Sequence, residues 1–388
     1  MTTTLDDFMT EPDAPSVQKV GAKWTFDPDQ RTRIDWTPHL AQNLLVSLEL
    51  EYNFKRGVET TGHDYMGREE RHNTFDTVSV DEVGVSYATG NCPVCDQYGC
   101  WKCDLPKTIR MIKSDCTIHG REFIVIGSNY SAEEFVKRLP LENIMKYFEP
   151  CHQDSMHSHV LIPDYNQNIP VAIGQNVWQL FRVYYPAWAY IFGNRKGSIL
   201  RGSWAKWNDY GEDAKDFDYW WNGNNIERDP ASTPRTIARR FKQGLTFASS
   251  DANETDKVFS HFDVEIRQTD ASQDPEQIVA ARSLSKALVL KAAQLANQGV
   301  LGIPEDRWAA IQPVIQDINR SLQSSSWEPM DFKLERRQGA TMLKMAKEFY
   351  AEMRDLLTPF ERRCVRHCIM NPVRKRNPNH LGVYGEPD

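Results

Sequence analysis

The segment from Asn43 to Phe54 constrains this chain most. Leu48, Leu50 and Tyr52 alternate with Ser47, Glu49 and Glu51. That period of two predicts a β-strand with one apolar face and one acidic face. Residues two apart on a strand point the same way, so Glu49 and Glu51 share a side about 7 Å apart. Two carboxylates held that close repel each other unless a cation sits between them. Oxygen-only ligation of this kind suits magnesium bridging substrate phosphates. Taken alone, the same pattern also suits a solvated outer face.

Other stretches alternate in the same way: Thr77 to Tyr87, Thr108 to Lys113, Arg121 to Ile126, Met156 to Ile162 and Phe259 to Thr269. Helical spacing covers Ser131 to Tyr147, where Ser131 and Glu134 form a capping-box pair despite Pro140 further on. It also covers Ile173 to Phe192, Asp274 to Gln298, Pro304 to Gln323 and Phe332 to Leu357. Gly57 to Thr74 reads as a loop, and Asn194 to Thr233 as a long irregular one carrying Trp204, Trp207, Trp220 and Trp221. A long loop of that composition is a candidate lid or binding loop.

The 388 residues suit one large domain with extensions or two modest ones. Residues 1–35 read as a flexible, polar arm, 36–300 as the main domain and 301–388 as a helical extension with a basic tail. A net charge of −7 makes nonspecific nucleic-acid binding the wrong default. The most apolar stretch, Val177 to Gly193, contains Arg182 and Pro186 and reads as a kinked buried helix rather than a bilayer span. The first residues lack a basic-then-apolar signal pattern, and the cysteine usage is not that of an extracellular disulfide framework. A cytoplasmic setting is the expectation.

Three further short patterns carry chemistry. Val264-Glu265-Ile266-Arg267 places a carboxylate beside a guanidinium on one strand face, able to hold a metal and a phosphoryl group side by side. In isolation it reads better as an intrastrand salt bridge on an open sheet face. His157-Ser158-His159 sets two imidazoles on one face, for a metal shell, a phosphate or simply the surface. Glu122, in Arg121-Glu122-Phe123 after Lys113-Ser114-Asp115, offers one more carboxylate.

In this order the set resembles the amidoligases of the glutamine synthetase/glutamate–cysteine ligase superfamily. Those chains run from a Glu-x-Glu strand through an Asp-Ser-like turn and a Glu-bearing strand to a His-x-His-Val strand and a Glu-x-Arg strand, the last two each leading into a helix. The match spans residues 43–300 here, with the family's Asp-Gly-Ser turn replaced by Asp115-Cys116-Thr117. The resemblance implies an α+β fold with a curved, mainly antiparallel sheet, a catalytic concave face and helices outside. It implies an ATP- and magnesium-dependent ligase joining a carboxylate to an amine through an acyl phosphate. Glu49, Glu51, Glu122 and Glu265 would then be magnesium ligands, with Glu51, Glu265 and Arg267 catalytic. His157, His159, Arg195 and Arg201 would contact ATP phosphate, metal or substrate. Members of that family often occur in phage genomes or beside peptide-modifying genes, so the resemblance makes a peptide or cell-wall acceptor an expectation. No nucleophile elbow, P-loop or dinucleotide fingerprint competes with this reading.

Cys92, Cys95, Cys100 and Cys103 form a CxxC-x4-CxxC knuckle within residues 88–107, a spacing suited to a closed tetrahedral structural zinc site. Cys364, His367 and Cys368 lie a helical turn apart and read as ordinary helix residues. The knuckle and the basic tail support a competing expectation, a non-catalytic zinc-containing protein that binds nucleic acid or protein.

Overall fold

The computed structural model describes residues 25–26, 35–55, 60–63, 69–73, 109–113, 120–150, 154–162, 169–193, 237–241, 245–249, 258–259, 262–301 and 335–372. Its strands are β1 (Thr25–Phe26), β2 (Leu45–Phe54), β3 (Thr60–His63), β4 (Glu69–Asn73), β5 (Ile109–Lys113), β6 (Gly120–Ser128) and β7 (Phe148–Glu149). They continue as β8 (Ser155–Ile162), β9 (Ile169–Pro170), β10 (Ile237–Phe241), β11 (Leu245–Ser249), β12 (Val258–Phe259), β13 (Phe262–Asp270) and β14 (Val300–Leu301). The helices are α1 (Trp36–Asn43), α2 (Ala132–Arg138), α3 (Leu141–Tyr147), α4 (Val171–Phe192), α5 (Pro275–Asn297), α6 (Glu335–Met353) and α7 (Pro359–Met370).

The fold is α+β. Among the described residues, eight strands form one open sheet in the order β10-β11-β13-β8-β2-β6-β5, with β7 also pairing with β2. Every one of these pairings is antiparallel. The acidic strand β2 therefore lies inside the sheet, between β8 and β6. Its alternation turns Val46, Leu48, Leu50 and Tyr52 to one side, where they are buried with Phe123, Val125, Met156, Val160, Val264 and Ile266 from the neighbouring strands.

Helices α4 and α5 pack on the sheet and on each other. From Val183 to Phe192, α4 is buried at every position. A helix that is apolar all round belongs in an interior. Here the outer cover is α6, whose Phe349 ring lies 5.0 Å from Tyr184 and 5.9 Å from Trp188. The start of α5 is set by Asp274, whose side chain accepts the Glu276 N–H at 2.8 Å, with Pro275 in the first turn. No described helix is long and apolar enough to cross a membrane.

Several elements differ from the sequence expectation. The run from Ser131 to Tyr147 is two helices, because Pro140 has no N–H and forces the preceding Leu139 into an extended ψ of 118°. Residues 57–74 include the β3–β4 hairpin rather than loop alone, and β10–β11 is a second hairpin not anticipated. Asp35 caps an additional helix, α1, by accepting the Thr37 N–H. The basic tail begins as α7, with a full capping box between Thr358 and Glu361. That helix buries Cys364, Val365, Cys368 and Ile369 in the common core, so its cysteines are packing residues. The strand over 77–87, the helix over 304–323 and the tryptophan-bearing loop fall outside the described residues.

Candidate functional site

The sheet's other face collects the acidic and histidine patterns. Backbone register does the assembling. Glu51 pairs directly with Glu122 of β6, and Glu49 with His157 of β8. One step along, His159 pairs with Glu265 of β13. Paired residues in an antiparallel ladder share a face. Segments separated by more than 200 residues of sequence thus meet in one patch. Between Ile266 and Thr269 the β13–β8 register slips, so Arg267 and Gln268 together stand opposite His157. This extra residue is a β-bulge, a device that re-aims a side chain locally. Arg267 contacts the Glu265 carboxylate through Nη1 and remains 41% exposed.

The His157 ring sits among three carboxylates. Its Nδ1 lies 3.0 Å from Glu49 Oε2 and 3.4 Å from Glu265 Oε1, and its Nε2 lies 3.8 Å from Glu51 Oε1. His159 Nε2 approaches Glu49 Oε1 at 3.3 Å. Glu51, Glu122 and His157 are buried, while Glu49, His159, Glu265 and Arg267 are half-buried. Four carboxylates against two imidazoles and one guanidinium leave the patch net negative even with both rings protonated. A cation relieves that imbalance. Glu49, His159 and Glu265 can each turn a ligand atom to within 4.8 Å of the others, which is the spacing of a shared divalent ion. The set of two carboxylate oxygens and one imidazole nitrogen fits magnesium less exclusively than an all-oxygen set, and also suits manganese.

Burial alone raises the pKa of the Glu49 carboxyl. The hydrogen bonds from His157 and His159, with their charge, outweigh burial and hold it well below the usual carboxylate range. A depressed folded-state pKa gives stability that is present above the unfolded value, near 4.5, and lost as pH falls through the folded value. Urea unfolding at stepped pH below 4.5 is therefore expected to show a loss on the order of 2 kcal/mol traceable to Glu49. Glu49→Gln should flatten that acid slope. Identical slopes in the two proteins would mean that the imidazoles do not hold the carboxylate as described.

Sequence reasoning missed Asp154, Ser155 and Asp270. Ser155 gives both its N–H, at 2.8 Å, and its hydroxyl to Glu51 Oε2. Asp154, fully buried, accepts the Asn53 backbone N–H at 3.1 Å and its side-chain amide at 2.6 Å. Asp270 pairs in register with Ser155 and is buried. The signal for Ser155 was available: carrying the His157–His159 alternation back by two residues places it on the same face. Arg195 and Arg201, Asp115 to Thr117 and the cysteine knuckle at Cys92, Cys95, Cys100 and Cys103 lie outside the described residues.

Compared with known proteins, the chain matches no protein-family model and no curated protein. A solved structure described as a novel glutamine synthase homolog resembles it over 84% of this chain and 71% of that one, at a TM-score of 0.36 and 11% identity. A likeness so remote carries no argument about activity.

Proposed function

We propose that this chain is an ATP- and magnesium-dependent ligase that joins a carboxylate to an amine through an acyl-phosphate intermediate. The observation that carries the reading is the gathering of Glu49, Glu51, Glu122, His157, His159, Glu265 and Arg267 on one sheet face by β-ladder register. Amide formation in water is uphill, and phosphorylating the carboxylate makes its carbon open to attack by the amine. Magnesium, when bound, neutralises phosphate charge. Glu49, Glu51, Glu122 and Glu265 are the residues to hold it, with His159 completing the set that closes around Glu49 and Glu265.

His157 sits behind that set and fixes the Glu49 and Glu265 oxygens by contact. Arg267, in the bulge and half-exposed, would meet charge developing on the transferred phosphoryl group. No side-chain nucleophile is required. Arg195 and Arg201 would add substrate or nucleotide contacts, and the cysteine knuckle would hold a structural zinc ion.

Calorimetry of ATP binding with and without magnesium tests the proposal. Binding is expected only with magnesium, and Glu51→Gln and Glu265→Gln are each expected to weaken it at least about tenfold with the circular dichroism spectrum unchanged. Absence of binding under every condition would reject the ligase reading in favour of a non-catalytic zinc-containing binding protein.

A further inference from the structure

We propose that Ser155 is a positioning residue for Glu51: it occupies Oε2 of that carboxylate and leaves Oε1 as the one ligand atom Glu51 can turn toward a divalent cation. The proposal rests on the ligase reading only in assigning Glu51 to the cation.

The geometry begins at the end of a β-ladder. The β2–β8 register runs from Leu45↔Leu161 to Leu50↔Met156. Beyond it, side chains take over the backbone donors of the facing strand. The Ser155 N–H goes to Glu51 Oε2 at 2.8 Å, and the Asn53 N–H goes to Asp154 Oδ2 at 3.1 Å. The exchange is reciprocal, one carboxylate from each strand. The start of β8 is also pinned from the other side, because Ala271 N–H donates to the Asp154 carbonyl at 3.2 Å. Ser155 therefore cannot drift, and it is only 1% exposed.

The hydroxyl adds what the backbone N–H cannot. A serine hydroxyl has one proton. Here that proton goes to Glu51 Oε2, and Ser155 Oγ also lies 3.0 Å from His157 Nε2. Ser155 thereby couples Glu51 to the ring that contacts Glu49 and Glu265. With Oε2 taking two hydrogen bonds from one residue, the carboxylate plane is fixed and Oε1 faces His157 from 3.8 Å. Alanine at this position would keep the N–H bond and lose the hydroxyl, freeing the carboxylate to turn about a single contact. Groups that orient metal ligands in this way typically change metal affinity by about 10- to 100-fold when removed.

The test is Mn²⁺ binding to the full chain, followed by the electron paramagnetic resonance signal of the free ion. The variants are Ser155→Ala, Glu51→Gln and the double variant. We expect Ser155→Ala to weaken Mn²⁺ about tenfold, and to add nothing further in the Glu51→Gln background, because it acts through Glu51. Should Ser155→Ala fail to fold, Ser155→Cys makes the same comparison with a near-isosteric side chain that is a weak donor. Affinity equal to wild type, or a loss that adds fully to that of Glu51→Gln, would overturn the positioning role and leave the ligase reading standing. Absence of Mn²⁺ binding by the wild type would overturn both.

Discussion

Arg267→Ala is expected to lower ligase turnover by about 10³-fold or more, equivalent to about 4 kcal/mol of barrier, while magnesium-dependent ATP binding stays within about threefold. The separation follows from where the side chain stands. It lies in the bulge opposite His157, 41% exposed, and pairs with Glu265. Removing an exposed side chain there opens no core cavity, so stability should move by no more than about 0.5 kcal/mol. Glu265 keeps its contact with His157 Nδ1 at 3.4 Å, so the carboxylate is not left alone. Under the proposed ligase function, what disappears is a planar donor fork that would meet charge developing mainly in the transition state. Arg267→Lys keeps the charge without the fork and should fall between alanine and wild type. The measurement is ADP release with the carboxylate–amine pair found by a substrate screen. Turnover unchanged by Arg267→Ala would remove Arg267 from the chemistry, and a matching loss of ATP affinity would make it a binding group instead.

Much of this site was legible because a strand writes its faces in alternate letters. Glu49 and Glu51, His157 and His159, and Glu265 and Arg267 each declare a shared side without any knowledge of the fold. The partner of each pair was not legible, because register depends on contacts between segments far apart in the chain. Only the ladders β2–β6, β2–β8 and β8–β13 put Glu122 beside Glu51 and His159 beside Glu265. The bulge at Arg267 was equally hidden, since one extra residue leaves no mark in an alternating pattern. At α7 the helical spacing of Cys364, His367 and Cys368 was legible, and the capping pair Thr358 and Glu361 marks its start. That Cys364, Val365, Cys368 and Ile369 are buried was not legible, because it depends on packing against distant elements. Pro140 was visible but underweighted: a proline that deep in a periodic stretch ends one helix and begins another.

Trp188 is the residue with which to probe whether the apolar face of the sheet sets the geometry of the acidic one. It is 1% exposed, with its ring 5.1 Å from Phe192, 6.0 Å from Phe181 and 5.9 Å from Phe349. It thus joins α4 to α6. Its indole N–H also donates to Thr269 Oγ1 at 2.9 Å, on the strand residue that closes the bulge begun at Arg267. Trp188→Ala empties a large, fully enclosed site and is expected to cost about 3–5 kcal/mol in urea unfolding. Trp188→Phe keeps most of the ring contacts and deletes the donor, at a cost of about 1 kcal/mol. The comparison between them separates packing from anchoring. If the Thr269 bond holds the bulge in place, Trp188→Phe should depress turnover out of proportion to its small loss of stability. The effect should vanish in an Arg267→Ala background, where the bulge has nothing left to aim. A phenylalanine variant with wild-type turnover would mean that β13 keeps its shape through pairing with β8 and β11 alone, and that the helices behind the sheet supply stability without positioning.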